Sequence, residues 1–304
     1  MPAITQKYTP DKEIADLVQA MMFRAKSTVE GFITGMHKSP YHGFSAEFAQ
    51  HRQYMPGDEI KRLDWKVLAR TDRLYIKEYE DETNLRCVIA LDASGSMQYR
   101  SEQAHARFAS KYEYGVELSA AFAFLMMRQR DSAGIAVFGD TVQRYFPPRS
   151  AFTYLQDLYR TLVGIVPQGG TAVGASLHRV AEQIARRGLV IVISDLWDDP
   201  ETTLQALRHF RHYGHEVIVL HILDPLEESF DFRGATIFKD METGEEIQTQ
   251  PQQLKSAYLH KLEERIHLVR TACMQQHIDY HQVSTADAFD KAFHLYLNKR
   301  RRLQ

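Results

Sequence analysis

The most informative segment of the chain is "LRCVIALDASGSM", residues 85–97, because an apolar run leads directly into a set of oxygen-bearing side chains. The run predicts a strand over 85–92 that is covered on both faces, as strands of parallel sheets are. Asp92, Ser94 and Ser96 then follow at alternate positions. They form either an ordinary turn, since serine and glycine are common turn residues, or a group of oxygens that converges on a ligand.

Two further apolar segments, "LVIVISDL" (189–196) and "EVIVLHILD" (216–224), predict two more deeply buried strands. Helical periodicity over 102–130, 152–164, 173–187 and 199–213 fills the intervals between strands. Strands that alternate with helices predict an α/β fold with a doubly wound, mostly parallel sheet. We expect this main domain to span 85–304, with an inserted hairpin at about 235–250. Residues 1–84 are expected to form an N-terminal segment with a helix over 11–33 and a small β subdomain.

The composition is that of a soluble globular protein, with 44% hydrophobic and 25% charged residues. The net charge of −2 gives no field that would draw the chain to nucleic acid or to an acidic membrane. Cys87 and Cys273 lack a CxxC partner and are expected to be buried thiols. Because no segment resembles a signal peptide or a membrane span, we expect a cytoplasmic protein.

The residues that follow the central strands are the candidates for function, because doubly wound sheets bind ligands beyond the carboxyl ends of their strands. The strands 85–92 and 189–195 are the natural central pair, so Asp92 and Asp195 are expected to face each other. Thr171, in "QGGTAVG", opens a helix at the same edge. Two carboxylates and up to three hydroxyls suit a hard cation such as Mg²⁺, with Mn²⁺ or Ca²⁺ as alternatives. The predicted ligands are Asp92, Ser94, Ser96, Thr171 and Asp195, although each has a local capping or turn role as its alternative interpretation.

The sequence does not match the motifs of other kinds of binding or catalytic site. The segment "GGTAVGAS" lacks the lysine of a phosphate-binding loop, and "DASGSMQ" is not a dinucleotide-binding fingerprint. Ser94 does not lie in the G-x-S-x-G pattern of a nucleophile elbow, and no H-E-x-x-H motif is present. We therefore assign no catalytic residue and expect a protein that is not an enzyme.

Taken together, D-x-S-x-S after a central strand, a distal threonine and a distal aspartate resemble the metal-ion-dependent adhesion site of von Willebrand factor type A (vWA) domains. The resemblance covers roughly residues 85–225. It implies that the five predicted ligands surround a divalent ion and that an acidic residue of a protein partner completes the coordination. The function implied is binding rather than catalysis.

The upstream segment "GMHKSPYHGFSAEFAQHRQYMPGDEIKRLDWKVLARTDRLYIKEYEDE" (35–82) closely resembles the hallmark of the bacterial DUF58 family. This resemblance implies a MoxR-type AAA+ ATPase as partner, in the assembly or activation of other protein complexes. Many members carry N-terminal membrane helices, and their lack here favours a soluble form. Asp58 is a predicted N-cap of a short helix. Five charged residues of this segment form either ion pairs within a small subdomain or a docking surface: Arg52, Asp58, Arg62, Asp64 and Arg70.

Three functional hypotheses follow from the sequence. The first is a metal-dependent binding or adaptor module, which chelation of the metal would disable. The second is a Mg²⁺-dependent phosphoester hydrolase, for which Asp198, Asp199 or His221 would have to supply the acid or base. The third is a structural scaffold whose metal site stays empty. Turnover of phosphoesters would identify the second, and the lack of any calorimetric signal with Mg²⁺ or Mn²⁺ would identify the third.

Overall fold

A computed structural model of the chain describes residues 11–37, 50–54, 65–71, 73–78, 85–102, 108, 110–170, 172–232, 234, 236–239 and 244–303. The chain folds into two compact units. Residues 1–33 and 85–304 form the larger unit, and residues 34–84 form the smaller one. None of the helices among the described residues is long and apolar enough to cross a membrane.

The described helices and strands follow the predicted alternation. The helices are α1 (Asp11–His37), α2 (Trp65–Thr71), α3 (Lys111–Arg128), α4 (Thr153–Gly164), α5 (Val173–Gln183), α6 (Pro200–His212), α7 (Pro225–Ser229), α8 (Pro251–Gln275) and α9 (Asp290–Leu303). The strands are β1 (Gln50–Gln53), β2 (Tyr75–Glu78), β3 (Arg86–Asp92), β4 (Ser132–Phe138), β5 (Val142–Arg149), β6 (Leu189–Ser194), β7 (Glu216–Leu223), β8 (Thr236–Lys239), β9 (Glu246–Thr249) and β10 (Asp279–Ser284).

The larger unit is built on a six-stranded sheet in the order β10-β7-β6-β3-β4-β5. Every neighbouring pair is parallel except β4 and the edge strand β5. The strand order reverses between β3 and β6, which lie side by side with Ile89 opposite Ile191. This topology confirms the predicted α/β class, and it brings the residues after β3 and β6 to the same edge of the sheet.

Helices cover both faces of the sheet. Side chains of α5, α6 and α8 pack with alternate residues of β3 and β6 in one apolar cluster that includes Leu177, Phe210 and Cys273. On α3, a Cβ atom at Gly115 would lie 2.7 Å from Cδ1 of Leu91, so glycine allows this helix to lie close against β3. Cys87 and Cys273 are both buried free thiols, as predicted.

Helix α1 packs within the larger unit, whereas the sequence interpretation assigned it to a separate segment ending at residue 84. Its apolar side is buried, and the ring of Phe32 makes an edge contact with Phe293 of α9 at 5.1 Å between centroids. The apolar spacing of α1 therefore serves the core of the main domain. The smaller unit contains α2 and the antiparallel pair β1–β2, with Gln50 opposite Glu78.

Three predicted helix ends differ from the structure. Helix α1 ends at His37 rather than at residue 33. Helix α3 begins at Lys111 rather than near residue 102, because the side chain of Ser110 accepts a hydrogen bond from the backbone N–H of Glu113 and caps the helix there. Helix α5 ends at Gln183 rather than at 187. The short helix expected from Asp58 would begin outside the described residues, and the next described helix is α2, which begins at Trp65.

Candidate metal centre

Asp92, the last residue of β3, is fully buried and is held from two sides. Its Oδ1 accepts a hydrogen bond of 2.8 Å from the backbone N–H of Ser94, and its Oδ2 accepts one of 2.5 Å from the hydroxyl of Ser194. The hydroxyl oxygens of Ser94 and Ser96 lie 3.1 Å apart. The alternate spacing in "DASGS" therefore places these three oxygen-bearing side chains side by side.

The loop that holds these residues is fixed by backbone hydrogen bonds. Ala93 donates its N–H to the carbonyl of Phe138 at 2.6 Å and accepts from the N–H of Gln168 at 3.1 Å, while Gly95 donates to Gly169 at 3.2 Å. Gly169 has a φ of +87°, and a Cβ atom there would lie 2.5 Å from a carboxylate oxygen of Asp140, so glycine is needed at this position. The loop at 168–169 thus contacts the loop after β3. Thr171, which follows it in sequence, lies outside the described residues.

Asp195 follows β6, the neighbour of β3, and is also fully buried. The structure therefore places Asp92 and Asp195 at the same edge of the sheet, at the carboxyl ends of two neighbouring strands, as the topology predicted. Burial raises the pKa of Asp92 to about 7, with a further increase from the charge of Asp195, and hydrogen bonds from Ser194 and Ser94 partly oppose both effects. The two carboxylates repel each other in a buried environment, which a bound cation would relieve.

A buried lysine that the sequence interpretation did not single out belongs to this cluster. The side chain of Lys111 has no exposed surface, and its Nζ lies 2.7 Å from Oδ2 of Asp195 and 2.8 Å from Oε1 of Glu227. Burial alone lowers the pKa of Lys111, but the charges of Asp195 and Glu227 outweigh it and leave that pKa above its usual value. Lys111 therefore remains a cation and joins the end of β6 to α7.

Two further side chains support the loop after β6. Arg265 of α8 donates through Nη2 to the backbone carbonyls of Leu196 and Asp198, and its guanidinium lies 5.3 Å from the centre of the Trp197 ring. His221 of β7 hydrogen-bonds the backbone of Asp195 and lies 2.5 Å from the hydroxyl of Tyr280 through Nδ1. Burial lowers the pKa of His221 to about 4, so the ring is neutral at physiological pH.

The residues weighed as acids or bases of a hydrolase have structural contacts. Asp199 caps α6 by accepting from the backbone N–H of Thr202 at 2.9 Å, and Asp198 accepts from the backbone N–H of Gly174 at 2.9 Å. His221 is almost fully buried. These contacts give all three residues a role in holding the fold.

The donors of the cluster suit a hard cation. Asp92, Asp195, Ser94 and Ser96 offer only oxygen atoms, which Mg²⁺, Mn²⁺ and Ca²⁺ accept. Within the described residues, no three or more His, Cys, Asp and Glu side chains are grouped so as to hold a metal ion. The serine hydroxyls and an outside ligand would therefore have to complete the coordination. The hydrogen bond from Lys111 already occupies Oδ2 of Asp195.

The residues predicted to form a docking surface are described only in part. Arg52 lies in β1, and Arg70 is exposed in the last turn of α2. Asp58, Arg62 and Asp64 lie outside the described residues. The docking surface and its alternative, a set of internal ion pairs, therefore both stay predictions.

Comparison with known proteins adds three findings. The chain is 24% identical over 247 residues to the uncharacterized protein Rv1480 of Mycobacterium tuberculosis, covering 80% of this chain and 75% of that protein. It is similar to the crystal structure of the conserved hypothetical protein BatB from Bacteroides thetaiotaomicron, with 18% identity, a TM-score of 0.46, and coverage of 71% of this chain and 98% of that one. It is also similar to the VWA domain of SpRpn10, with 12% identity, a TM-score of 0.39, and coverage of 68% and 93%.

A family model described as "Protein of unknown function DUF58" matches residues 50–267. The match covers more than two thirds of the chain, including the segment 50–82 that resembles the family hallmark and both strands that end at the candidate site. The chain belongs to the DUF58 family.

Proposed function

We propose that this protein is a non-enzymatic, cation-dependent binding module that works with a MoxR-type AAA+ ATPase in the cytoplasm. The observation that supports it most strongly is the pair of buried carboxylates, Asp92 and Asp195, beside the hydroxyls of Ser94 and Ser96. Such a set offers oxygen ligands to Mg²⁺, and both oxygens of Asp92 already accept hydrogen bonds, from Ser94 and Ser194. A cation held there would still have room for a carboxylate from a partner.

The coordination proposed for the chain uses Asp92, Ser94, Ser96 and Asp195, together with Thr171 as the fifth ligand predicted from the sequence. When bound, the ion would supply positive charge at the carboxyl edge of the sheet, where an acidic side chain of another protein would be attracted. The residues of this chain would fix the position of the ion, because Ser194 holds the carboxylate of Asp92 and Lys111 holds that of Asp195.

The partner is proposed from the family resemblance. DUF58 proteins are linked to MoxR-type ATPases, and an ATPase that assembles other complexes needs a module that recognises its clients. We propose that the cation site takes a carboxylate of the ATPase or of its client. The charged residues of the smaller unit, Arg52 and Arg70 among them, would add a second contact.

A pull-down experiment tests this function. The purified chain would be immobilised and offered a MoxR-type ATPase of the same organism in Mg²⁺ or in EDTA, with Asp92→Ala as the site variant. Asp279→Asn, at the opposite edge of the sheet, is the control. We expect retention of the ATPase in Mg²⁺ by the wild type and by Asp279→Asn, and loss with EDTA or with Asp92→Ala. Retention that neither EDTA nor Asp92→Ala reduces would rule out the cation-dependent mechanism.

A further inference from the structure

Burying the charged side chain of Lys111 at this position costs free energy, which its acidic partners have to offset. It is the first residue of α3, where the helix dipole disfavours a cation. Its side chain has no contact with solvent, and lysine is almost never fully buried without partners. Both partners, Asp195 and Glu227, are acidic, and Asp195 is a candidate ligand of the cation site.

The charges of this cluster are unbalanced in the metal-free protein. With Asp92, Asp195 and Glu227 ionised, the three carboxylates and the ammonium of Lys111 sum to a formal charge of −2, which the nearby guanidinium of Arg265 reduces to −1. The ammonium compensates Asp195 and Glu227 directly, whereas the partners of Asp92 among the described residues are the hydrogen-bond donors Ser94 and Ser194. A divalent ion would offset this negative charge, but it would have to share Asp195 with a positive charge that is already present.

We propose that Lys111 is an internal counter-cation of the candidate site, which holds Oδ2 of Asp195 in the metal-free protein and thereby lowers the affinity for a divalent ion. This inference rests on the proposed cation-binding function. Its physical basis is that an ammonium group within a few ångströms of a bound dication repels it strongly in a buried, weakly polarisable environment. Lys111 would therefore weaken the binding of the ion to the free chain without abolishing it, and the extra carboxylate of a partner would make the binding firm.

A second buried lysine provides a matched control. Lys299 of α9 also bridges two carboxylates, with Nζ 2.7 Å from Glu216 and 2.9 Å from Asp279. Glu216 begins β7 and Asp279 begins β10, so this bridge lies at the amino edge of the sheet, opposite to the candidate site. Removing Lys299 leaves Asp279 without its lysine, while Glu216 keeps an ion pair of 2.6 Å with Arg211. Only the loss of Lys111 changes the charge beside Asp195.

The test is a calorimetric titration of Mn²⁺ into the wild type, Lys111→Met and Lys299→Met, with thermal unfolding measured in EDTA and in Mn²⁺. We expect Lys111→Met to bind Mn²⁺ about tenfold more tightly than the wild type, and Lys299→Met to bind with unchanged affinity. We also expect Mn²⁺ to raise the unfolding temperature of Lys111→Met more than that of either other protein. If Lys111→Met does not fold, Lys111→Gln removes the charge and keeps a hydrogen-bond donor.

The outcomes separate this inference from the proposed function. If the wild type binds Mn²⁺ and the Lys111 variant binds it equally or more weakly, Lys111 merely positions Asp195 and the inference is overturned, while the cation site stands. If only the Lys111 variant binds, the inference is supported and the proposed function of the wild-type chain fails. If neither binds, both are overturned.

Discussion

The hydroxyl of Ser194 donates a hydrogen bond of 2.5 Å to Oδ2 of Asp92, which ties the end of β6 to the end of β3. The same hydroxyl oxygen accepts from the backbone N–H of Leu196 at 2.9 Å. Ser194 therefore orients the buried carboxylate of the candidate site and also shapes the loop that carries Asp195.

Substitution of Ser194 by alanine should destabilise the protein and disturb the site together. The variant leaves the N–H of Leu196 and one oxygen of Asp92 without their buried partner, and such losses cost about 1–3 kcal/mol. Urea denaturation measures the change in the free energy of unfolding. The control is Ser119→Ala, because within the part of the chain that the structure describes the buried hydroxyl of Ser119 bonds only the carbonyl of Gly115 in its own helix. Equal decreases in the free energy of unfolding of the two variants would contradict the role assigned to Ser194.

The raised pKa of Asp92 predicts a pH dependence of stability in the metal-free protein. Because the folded state binds the proton more tightly than the unfolded state, the contribution of this group is fully present below the ordinary pKa of 3.8. It is lost as the pH rises through the folded-state pKa of about 7. Asp92→Asn removes this contribution.

Urea denaturation in EDTA between pH 4 and pH 8 measures this contribution as the difference in the free energy of unfolding between the wild type and Asp92→Asn. We expect the wild type to lose stability relative to the variant as the pH rises across this range. A difference that stays constant, or that grows in favour of the wild type, would show that Asp92 ionises without cost in the folded protein.

Arg265 should control the order of the loop after β6. Arg265→Met removes the donor that bonds the carbonyls of Leu196 and Asp198 and the cation that lies over Trp197. We expect a loss of about 2 kcal/mol in the free energy of unfolding and faster hydrogen exchange at the amides of 196–199.

The matched control for Arg265→Met is Arg270→Met on the same helix. Arg270 also lies over an aromatic ring, that of Tyr280, at 5.7 Å from its centre, but away from this loop. Hydrogen exchange at 196–199 should be unchanged in Arg270→Met. Unchanged exchange in Arg265→Met as well would mean that the loop is held by other contacts.

The main strands were predictable because their physical signals are local. The apolar runs that became β3, β6 and β7 are continuous, as strands covered on both faces require. The proximity of Asp92 and Asp195 was predicted from the topology of the sheet and not from a local signal at either residue. Ligands of doubly wound sheets bind where the strand order reverses.

Lys111 was not predictable in the same way. A lysine within a predicted helix is expected to be exposed, because lysine is rarely buried without a partner. One of its partners, Glu227, lies 116 positions further along the chain, and nothing local links the two. Ser194 was missed for a related reason, since a serine within an apolar strand does not show which neighbour its hydroxyl will bond.

The central claim is that Asp92 is part of a divalent-cation site. Calorimetric titration of Mg²⁺ and Mn²⁺ into the wild type and Asp92→Asn tests it most directly. Asp131→Asn is the control, because Asp131 is an equally buried aspartate that bonds Tyr296 and Arg300 at the opposite edge of the sheet. We predict saturable binding by the wild type and by Asp131→Asn, and a loss of at least about tenfold in affinity for Asp92→Asn. Equal affinities in all three proteins, or no binding by the wild type at millimolar metal, would contradict the account.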